Sequence, residues 1–266
     1  MSTVFFRMHD SRGGPRHSAA RTAIISAAAI GLAAAGVTGC AALTAGPTND
    51  AQQSQTYQHA ITQIDFTMPS GDITLTAGTS GSVVVNRDLK WDKTEPTVSE
   101  VWAGDTLQIT VTCASQPHCS VDYTVQVPST VAVQTHTDDG DVNVTDLTGG
   151  VNINDTTGDV NLTGVGGQIQ VDSNTGTVTG TGLQSTDVGV QGQDGDVALG
   201  FSAVPETVSA TTDTGRVHIT VPADGSTGYA VQAATTTGQR TVSVQEESGS
   251  SHTITAKTTD GDVTVD

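Results

Sequence analysis

The sequence has few aromatic residues, few basic residues and few long apolar segments. Phe, Trp and Tyr make up 3% of the 266 residues, so a packed core must consist mainly of Val, Ile, Leu and Ala. Lys and Arg number 10 against 28 Asp and Glu, and the formal net charge of −18 excludes the basic surface that nucleic-acid binding needs. Only one segment is apolar enough for a bilayer, which excludes a transporter with several spans.

The first forty residues have the pattern of an export signal. Four arginines precede the uncharged run from Thr22 to Val37, and Val37-Thr38-Gly39-Cys40 ends it. A basic region, a short apolar region and small residues before a cleavage site are typical of secretory signals. An aliphatic residue, two small residues and a cysteine resemble the bacterial lipobox. The alternative is an uncleaved anchor helix that ends in an incidental cysteine.

We therefore expect a lipoprotein signal peptide over residues 1–39 and acylation of Cys40. The exported chain would be anchored by its lipid at the outer face of the cytoplasmic membrane. Residues 40–57 are small and polar and show no sustained period, so they are predicted to form a flexible tether. Residues 58–266 then form a single domain.

The other two cysteines agree with export. Cys113 and Cys119 flank a short turn containing Pro117, and alternating strand patterns lie on both sides. A disulfide across this hairpin is predicted, because exported proteins fold in an oxidising compartment. A metal site with His118 is the alternative, but it would provide only three of the four ligands that a tetrahedral site needs.

A repeat runs through the second half of the chain. A turn glycine, a polar residue and an apolar-polar-apolar triplet recur every nine residues, beginning with Gly140-Asp-Val-Asn-Val144. Taking every second unit gives two ladders with parallel spacings of 18–23 residues; the first contains Gly140, Gly158, Gly176, Gly195, Gly215, Gly238 and Gly261. At Gly238 a slip of register is predicted, since Arg240 stands where an apolar residue belongs.

These spacings predict an all-β fold. Apolar residues at every second position indicate strands with one buried face. Two strands per coil of about 18–23 residues indicate a parallel β-solenoid (β-helix), in which stacked coils share one core. An antiparallel β-sandwich remains the alternative, because Asp-Gly is also a hairpin signal.

The repeated units resemble a bacterial β-strand-repeat family known as "putative adhesin", a domain of unknown function. The resemblance rests on Thr137-Asp-Asp-Gly-Asp-Val142, Thr156-Thr-Gly-Asp-Val160 and Thr259-Asp-Gly-Asp-Val263. Cys119-Ser-Val-Asp-Tyr-Thr-Val-Gln-Val-Pro128 is similar to actinobacterial members. The resemblance covers about residues 60–266, and it implies a β-helix at the cell surface with no catalytic residues to transfer.

A search for catalytic motifs finds no HExxH, nucleophile elbow or phosphate-binding loop. The best candidate site is the Asp-Gly-Asp turn, where Asp139, Asp141 and Asp159 would lie about one strand spacing apart if coils stack. Such carboxylates could bind Ca²⁺, although Asp and Gly are also common turn formers.

The sequence therefore favours a non-catalytic, lipid-anchored surface module that binds or spaces, with an unknown surface or extracellular partner and no cofactor. A Ca²⁺-dependent surface solenoid is the alternative. A polysaccharide-active β-helix enzyme is the residual hypothesis, since six scattered cations in the exported part suit an acidic substrate poorly.

Overall fold

A computed structural model describes residues 46–78, 81–222 and 227–266, which form strands and turns. The predicted signal peptide, Cys40 and residues 41–45 lie outside this range. Within the described ranges, no helix has the length and apolarity required to cross a bilayer. Residues Thr44–Asp266 form a single compact unit.

The described residues contain 21 strands. In chain order they are β1 (Asn49–Tyr57), β2 (Gln63–Met68), β3 (Ile73–Ala77), β4 (Val83–Trp91), β5 (Thr97–Ala103), β6 (Thr106–Thr112), β7 (Cys119–Val127), β8 (Ala132–Thr137), β9 (Val142–Thr145), β10 (Val151–Thr157), β11 (Val160–Thr163), β12 (Ile169–Thr175), β13 (Val178–Leu183), β14 (Asp187–Asp194), β15 (Val197–Phe201), β16 (Thr207–Thr214), β17 (Val217–Thr220), β18 (Ala230–Thr237), β19 (Arg240–Val242), β20 (Thr253–Asp260) and β21 (Val263–Val265).

The strands form two sheets, one from each half of every coil. The 11-stranded sheet has the order β1-β4-β7-β3-β9-β11-β13-β15-β17-β21-β19, and the 10-stranded sheet has the order β18-β20-β16-β14-β12-β10-β8-β2-β6-β5. Neighbouring coils pair in parallel, and among the described strands antiparallel pairing is confined to β1–β4, β4–β7 and β5–β6. The predicted parallel β-solenoid is therefore confirmed, and the antiparallel sandwich is wrong.

The core lies between the two sheets and is thin. Its inward positions are mostly Val, Ile and Leu, and nearly all of them are fully buried. Most of the few large rings lie toward the ends of the solenoid; Phe66 and Tyr123, for example, pack edge to face with centroids 5.4 Å apart. A narrow gap filled by branched aliphatic residues explains why the sequence needs so few aromatic residues.

The turn glycines stack so closely that no side chain fits between them. Gly158 has φ of 155°, and a Cβ on it would lie 2.1 Å from the carbonyl oxygen of Gly140. The same approach recurs at each turn of the first ladder. Glycine is therefore required both for the backbone conformation and for the contact between coils.

Both ends of the solenoid depart from chain order. The coil β2–β3 lies between β6–β7 and β8–β9, and the coil β20–β21 lies between β16–β17 and β18–β19. Gly261 therefore stacks on Gly215, and Gly238 stacks on Gly261. The predicted slip at Gly238 is wrong, because Arg240 pairs in register with Val263.

The predicted tether is also shorter than the sequence indicated. Residues 49–57 form β1, which pairs with β4 over its whole length from Asn49–Trp91 to Tyr57–Val83. The tether prediction is therefore wrong for these residues. Their polar composition suits an edge strand with both faces near solvent, which lacks the alternating pattern of a half-buried strand.

Candidate functional site

The aspartates of the Gly-Asp turns bind the backbone of the next coil. Asp141 Oδ1 accepts a hydrogen bond of 2.9 Å from the Asp159 N–H, and Asp159 Oδ1 accepts one of 2.7 Å from the Thr177 N–H. In the same way, Asp72 Oδ1 accepts a hydrogen bond of 2.9 Å from the Asp141 N–H. The motif recurs because each carboxylate satisfies an amide that the strand ladder leaves open, and such bonds to a charged acceptor are strong.

This geometry gives the calcium hypothesis no support. Asp139, Asp141 and Asp159 lie at the predicted corner, but Asp141 and Asp159 each use one oxygen for a backbone amide. Within the described ranges, no three His, Cys, Asp or Glu side chains are grouped so that they could hold a metal. Turn formation and capping of amides account for these residues.

A different aspartate, Asp155 on β10, is buried. It is 2% exposed, and its Oδ1 accepts a hydrogen bond of 2.6 Å from Thr137 Oγ1. Among the described residues no donor reaches Oδ2, and the hydroxyls of Thr135 and Ser173 are likewise buried without a partner. Burial raises the pKa of the Asp155 carboxyl, although the Thr137 hydroxyl and the Thr156 N–H act against this rise; the charges of Asp139 and Asp141 add to it.

The two remaining cysteines are joined in the structure. Cys113 and Cys119 form a disulfide with their Cα atoms 5.9 Å apart. His118, the third residue of the alternative metal reading, places Nδ1 3.2 Å from the carboxylate of Asp92. The neighbouring Gln116 bonds the backbone of Lys93 and Thr94, so the disulfide loop holds the segment after β4. Because β6 and β7 belong to different sheets, this loop connects the two sheets, and the predicted hairpin is wrong.

A shallow groove of about 350 Å³ lies on the outer face of the 10-stranded sheet. Three amides lie in register on adjacent strands in its lining: Gln134 on β8, Asn152 on β10 and Gln170 on β12. Its other lining residues include Gln63 and Gln168, and none of the lining residues is charged or aromatic. The groove therefore offers hydrogen-bond donors and acceptors to a neutral polar ligand.

The side chains whose pKa values are raised most lie at the end of the solenoid that contains β1, β4 and β5. Glu100 on β5 accepts hydrogen bonds from the Tyr57 hydroxyl and from the Arg87 guanidinium. Burial, together with the bond to Glu100, raises the pKa of Tyr57 to about 12. The ring of Tyr57 also packs against Trp102 at 5.5 Å. These contacts join β1, β4 and β5 and cover this end of the solenoid core.

Sequence reasoning missed Asp155 and the Arg87–Glu100 pair. Asp155 occupies an inward position of its strand, and its alternation with Val151 and Ile153 was a usable signal. Arg87 and Glu100 lie outside the regular array, and nothing in their local pattern indicates that they meet.

A family model described as Toastrack DUF4097 matches residues 61–266. A crystal structure of a putative cell adhesion protein from Clostridium sporogenes ATCC 15579 is 10% identical, with 82% of this chain and 99% of that chain aligned and a TM-score of 0.39. A putative adhesin from Bacteroides fragilis NCTC 9343 is 15% identical, with 81% and 96% aligned and a TM-score of 0.47. No curated protein matches the chain significantly.

Proposed function

Because the chain belongs to the Toastrack DUF4097 family, we propose that it is a non-catalytic module of the cell surface, anchored by a lipid on Cys40. In this role the solenoid either binds extracellular material or acts as a spacer at the membrane surface. The observation that carries the proposal is the use of the described residues for one solenoid with polar outer faces. Eleven strands in one sheet correspond to a length of about 50 Å at the usual strand spacing.

The position at which β1 starts limits how far the solenoid can lie from a lipid on Cys40. Only residues 41–48 separate Cys40 from Asn49, and eight or nine extended residues reach at most about 30 Å. A lipid on Cys40 would therefore keep the solenoid close to the bilayer. The acidic composition gives no attraction to an anionic membrane, so the lipid would provide the attachment.

Anchoring is tested with the full chain and its Cys40→Ala variant expressed in a bacterium. We expect the wild type in the membrane fraction with the intact mass of an acylated chain that begins at Cys40. The variant should accumulate as unprocessed precursor. A mature wild-type chain with an unmodified Cys40 thiol would contradict the proposal.

Binding is tested by co-sedimentation of residues 44–266 with purified bacterial cell-wall sacculi. The triple variant Gln134→Ala, Asn152→Ala, Gln170→Ala removes the groove amides. The matched control is Asn143→Ala, Asn161→Ala, Thr179→Ala, three outward residues in register on β9, β11 and β13 of the opposite sheet. Loss of sedimentation in the groove variant alone supports binding there, whereas failure of the wild type to sediment leaves the spacer role.

A further inference from the structure

One inward row of the 11-stranded sheet is apolar along its length and ends in arginine on both sides. Strand pairing places its members in register from one end of the solenoid to the other. In spatial order they are Arg87, Tyr123, Ile73, Val142, Val160, Val178, Val197, Val217, Val263 and Arg240. The members between the arginines are at most 2% exposed. Charged residues thus occupy only the first and last of these inward positions.

At the first end the arginine crosses to the opposite sheet. Arg87 on β4 bonds the carboxylate of Glu100 on β5, and its Nε donates a bond of 2.8 Å to Gln53 on β1. Glu100 pairs in register with Ile109, so it too is an inward position of its own sheet. An ion pair therefore closes the gap between the sheets where the apolar row ends.

At the other end Arg240 makes the equivalent crossing, but its carboxylate partner comes from the segment that follows its own strand and not from the opposite sheet. Its Nε donates a bond of 3.1 Å to the carbonyl oxygen of Ala233 on β18, and its guanidinium lies 3.5 Å from Glu246. Ala233 is the residue of β18 that corresponds in register to Ala256 and Ala210 of the neighbouring coils. Arg240 thus lies over the last apolar layer and uses a main-chain acceptor of the terminal strand.

Without Arg240 this end has the features of a surface for strand addition. β18 is an eight-residue edge strand without a charged residue, and Val231, Ala233, Val242 and Val244 of the last coil are only partly buried. The Ala230 N–H donates to His252 O on the β20 side, whereas the Tyr229 N–H donates to Gln245 O on the other side. The main-chain groups of Val231, Ala233 and Thr235 therefore face this second side. Among the described residues, Gln245 and Glu247 cover the edge beside Tyr229, and Arg240 covers it at Ala233. Edges left unprotected pair with other chains.

We propose that the β18–β19 end is a latent interface for a second copy of this chain and that Arg240 keeps it closed. A twofold axis at this end would place β18 antiparallel to β18 of the second copy and β19 antiparallel to β19, which extends both sheets at once. The charge of Arg240 prevents this, because association would bury two guanidinium groups in the shared core. The guanidinium also occupies the Ala233 carbonyl that the second strand would need.

The test measures the mass of residues 44–266 by light scattering after size exclusion, over a range of concentrations. Arg240→Val restores the apolar row with a good strand former, and we expect the mass of a dimer. Arg216→Val is the matched control, because Arg216 is also an exposed, ion-paired arginine but lies at the turn between β16 and β17, two coils inside this end. The control and Arg240→Lys, which keeps the charge, should remain monomeric.

A second variant ties the dimer to β18. In the Arg240→Val background, Ala233→Pro removes an N–H that faces the open edge and leaves the bonds to β20 intact, so the monomer should return. A monomeric, folded Arg240→Val variant would overturn the proposal. Equal association of Arg216→Val would also overturn it, since loss of any positive charge would then suffice.

Discussion

The substitution Asp155→Asn should stabilise the protein at neutral pH, although it removes a buried side chain that already has a hydrogen bond. In register with Asp155, other coils carry Thr212 and Thr258, whose hydroxyls donate to the turn carbonyls of Gly195 at 3.2 Å and Gly215 at 2.9 Å. The position therefore faces carbonyl oxygens and suits a donor. A carboxylate has none to offer, whereas an asparagine keeps the acceptor for Thr137 and adds an N–H₂ group.

The magnitude follows from the cost of a buried polar atom without a partner, about 1–3 kcal/mol. In a domain of this size, each kcal/mol raises the melting temperature by about 2–4 °C. The direction in which the free energy of unfolding changes with pH follows from the raised pKa of Asp155. The folded state holds its proton to higher pH than the unfolded state, so the wild type loses stability as pH rises through the folded pKa. Asp155→Asn should therefore match the wild type in acid and exceed it at neutral pH.

The assay is urea unfolding of both proteins between about pH 3 and pH 8. The lower limit lies below the usual aspartate pKa of about 3.9, so Asp155 is protonated there in both the folded and the unfolded state. Asp172→Asn on the adjacent strand β12 is the control, since its side chain faces outward and is partly exposed, so little change is expected. A destabilised Asp155→Asn variant at neutral pH would refute the reasoning. A difference that is the same at every pH would refute it as well.

Four further predictions concern the turns and the disulfide loop. Gly158→Ala should cost more than about 3 kcal/mol in urea unfolding, since backbone strain and an unavoidable clash with Gly140 O combine; Gly150→Ala, whose Cβ would meet nothing closer than 3.7 Å, should cost far less. Asp159→Ala should lose about 1–3 kcal/mol with the bond to the Thr177 amide, whereas Asp159→Asn keeps the acceptor and should lose less. If these aspartates only cap amides, the wild type should have the same melting temperature in CaCl₂ and in NaCl of equal ionic strength. A rise that is specific to calcium would restore the metal hypothesis. Cys113→Ser should cost about 2 kcal/mol for so short a loop, and alkylation of both thiols in unfolded, unreduced wild type would contradict the disulfide.

The regular part of the fold was predictable because every coil repeats the same local requirement. Gly140, Gly158 and Gly176 recur at 18 residues because each must pass the carbonyl of the previous turn, and the inward valines follow them at a fixed distance. The ends were not predictable in this way. β1 and β5 pair antiparallel at open edges, so they lack a period that a sequence search can detect. Asp155 is easily overlooked because an aspartate is common near a turn, although its alternation with Val151 and Ile153 indicates that it faces inward.

The order of the last coils has a physical cause that also involves Arg240. If β18–β19 stacked on β16–β17 in chain order, Arg240 would lie between Val217 and the following coil, within the apolar row. Burying an arginine there without a carboxylate would cost several kcal/mol. With β20–β21 in that place, Val263 continues the row next to Val217, and Arg240 reaches the end, where its side chain is 43% exposed. Arg240, which breaks the apolar pattern of the repeated coils, thus favours the observed coil order over the sequential one. A repeat search cannot rank these two orders, because both preserve the spacing of the glycines.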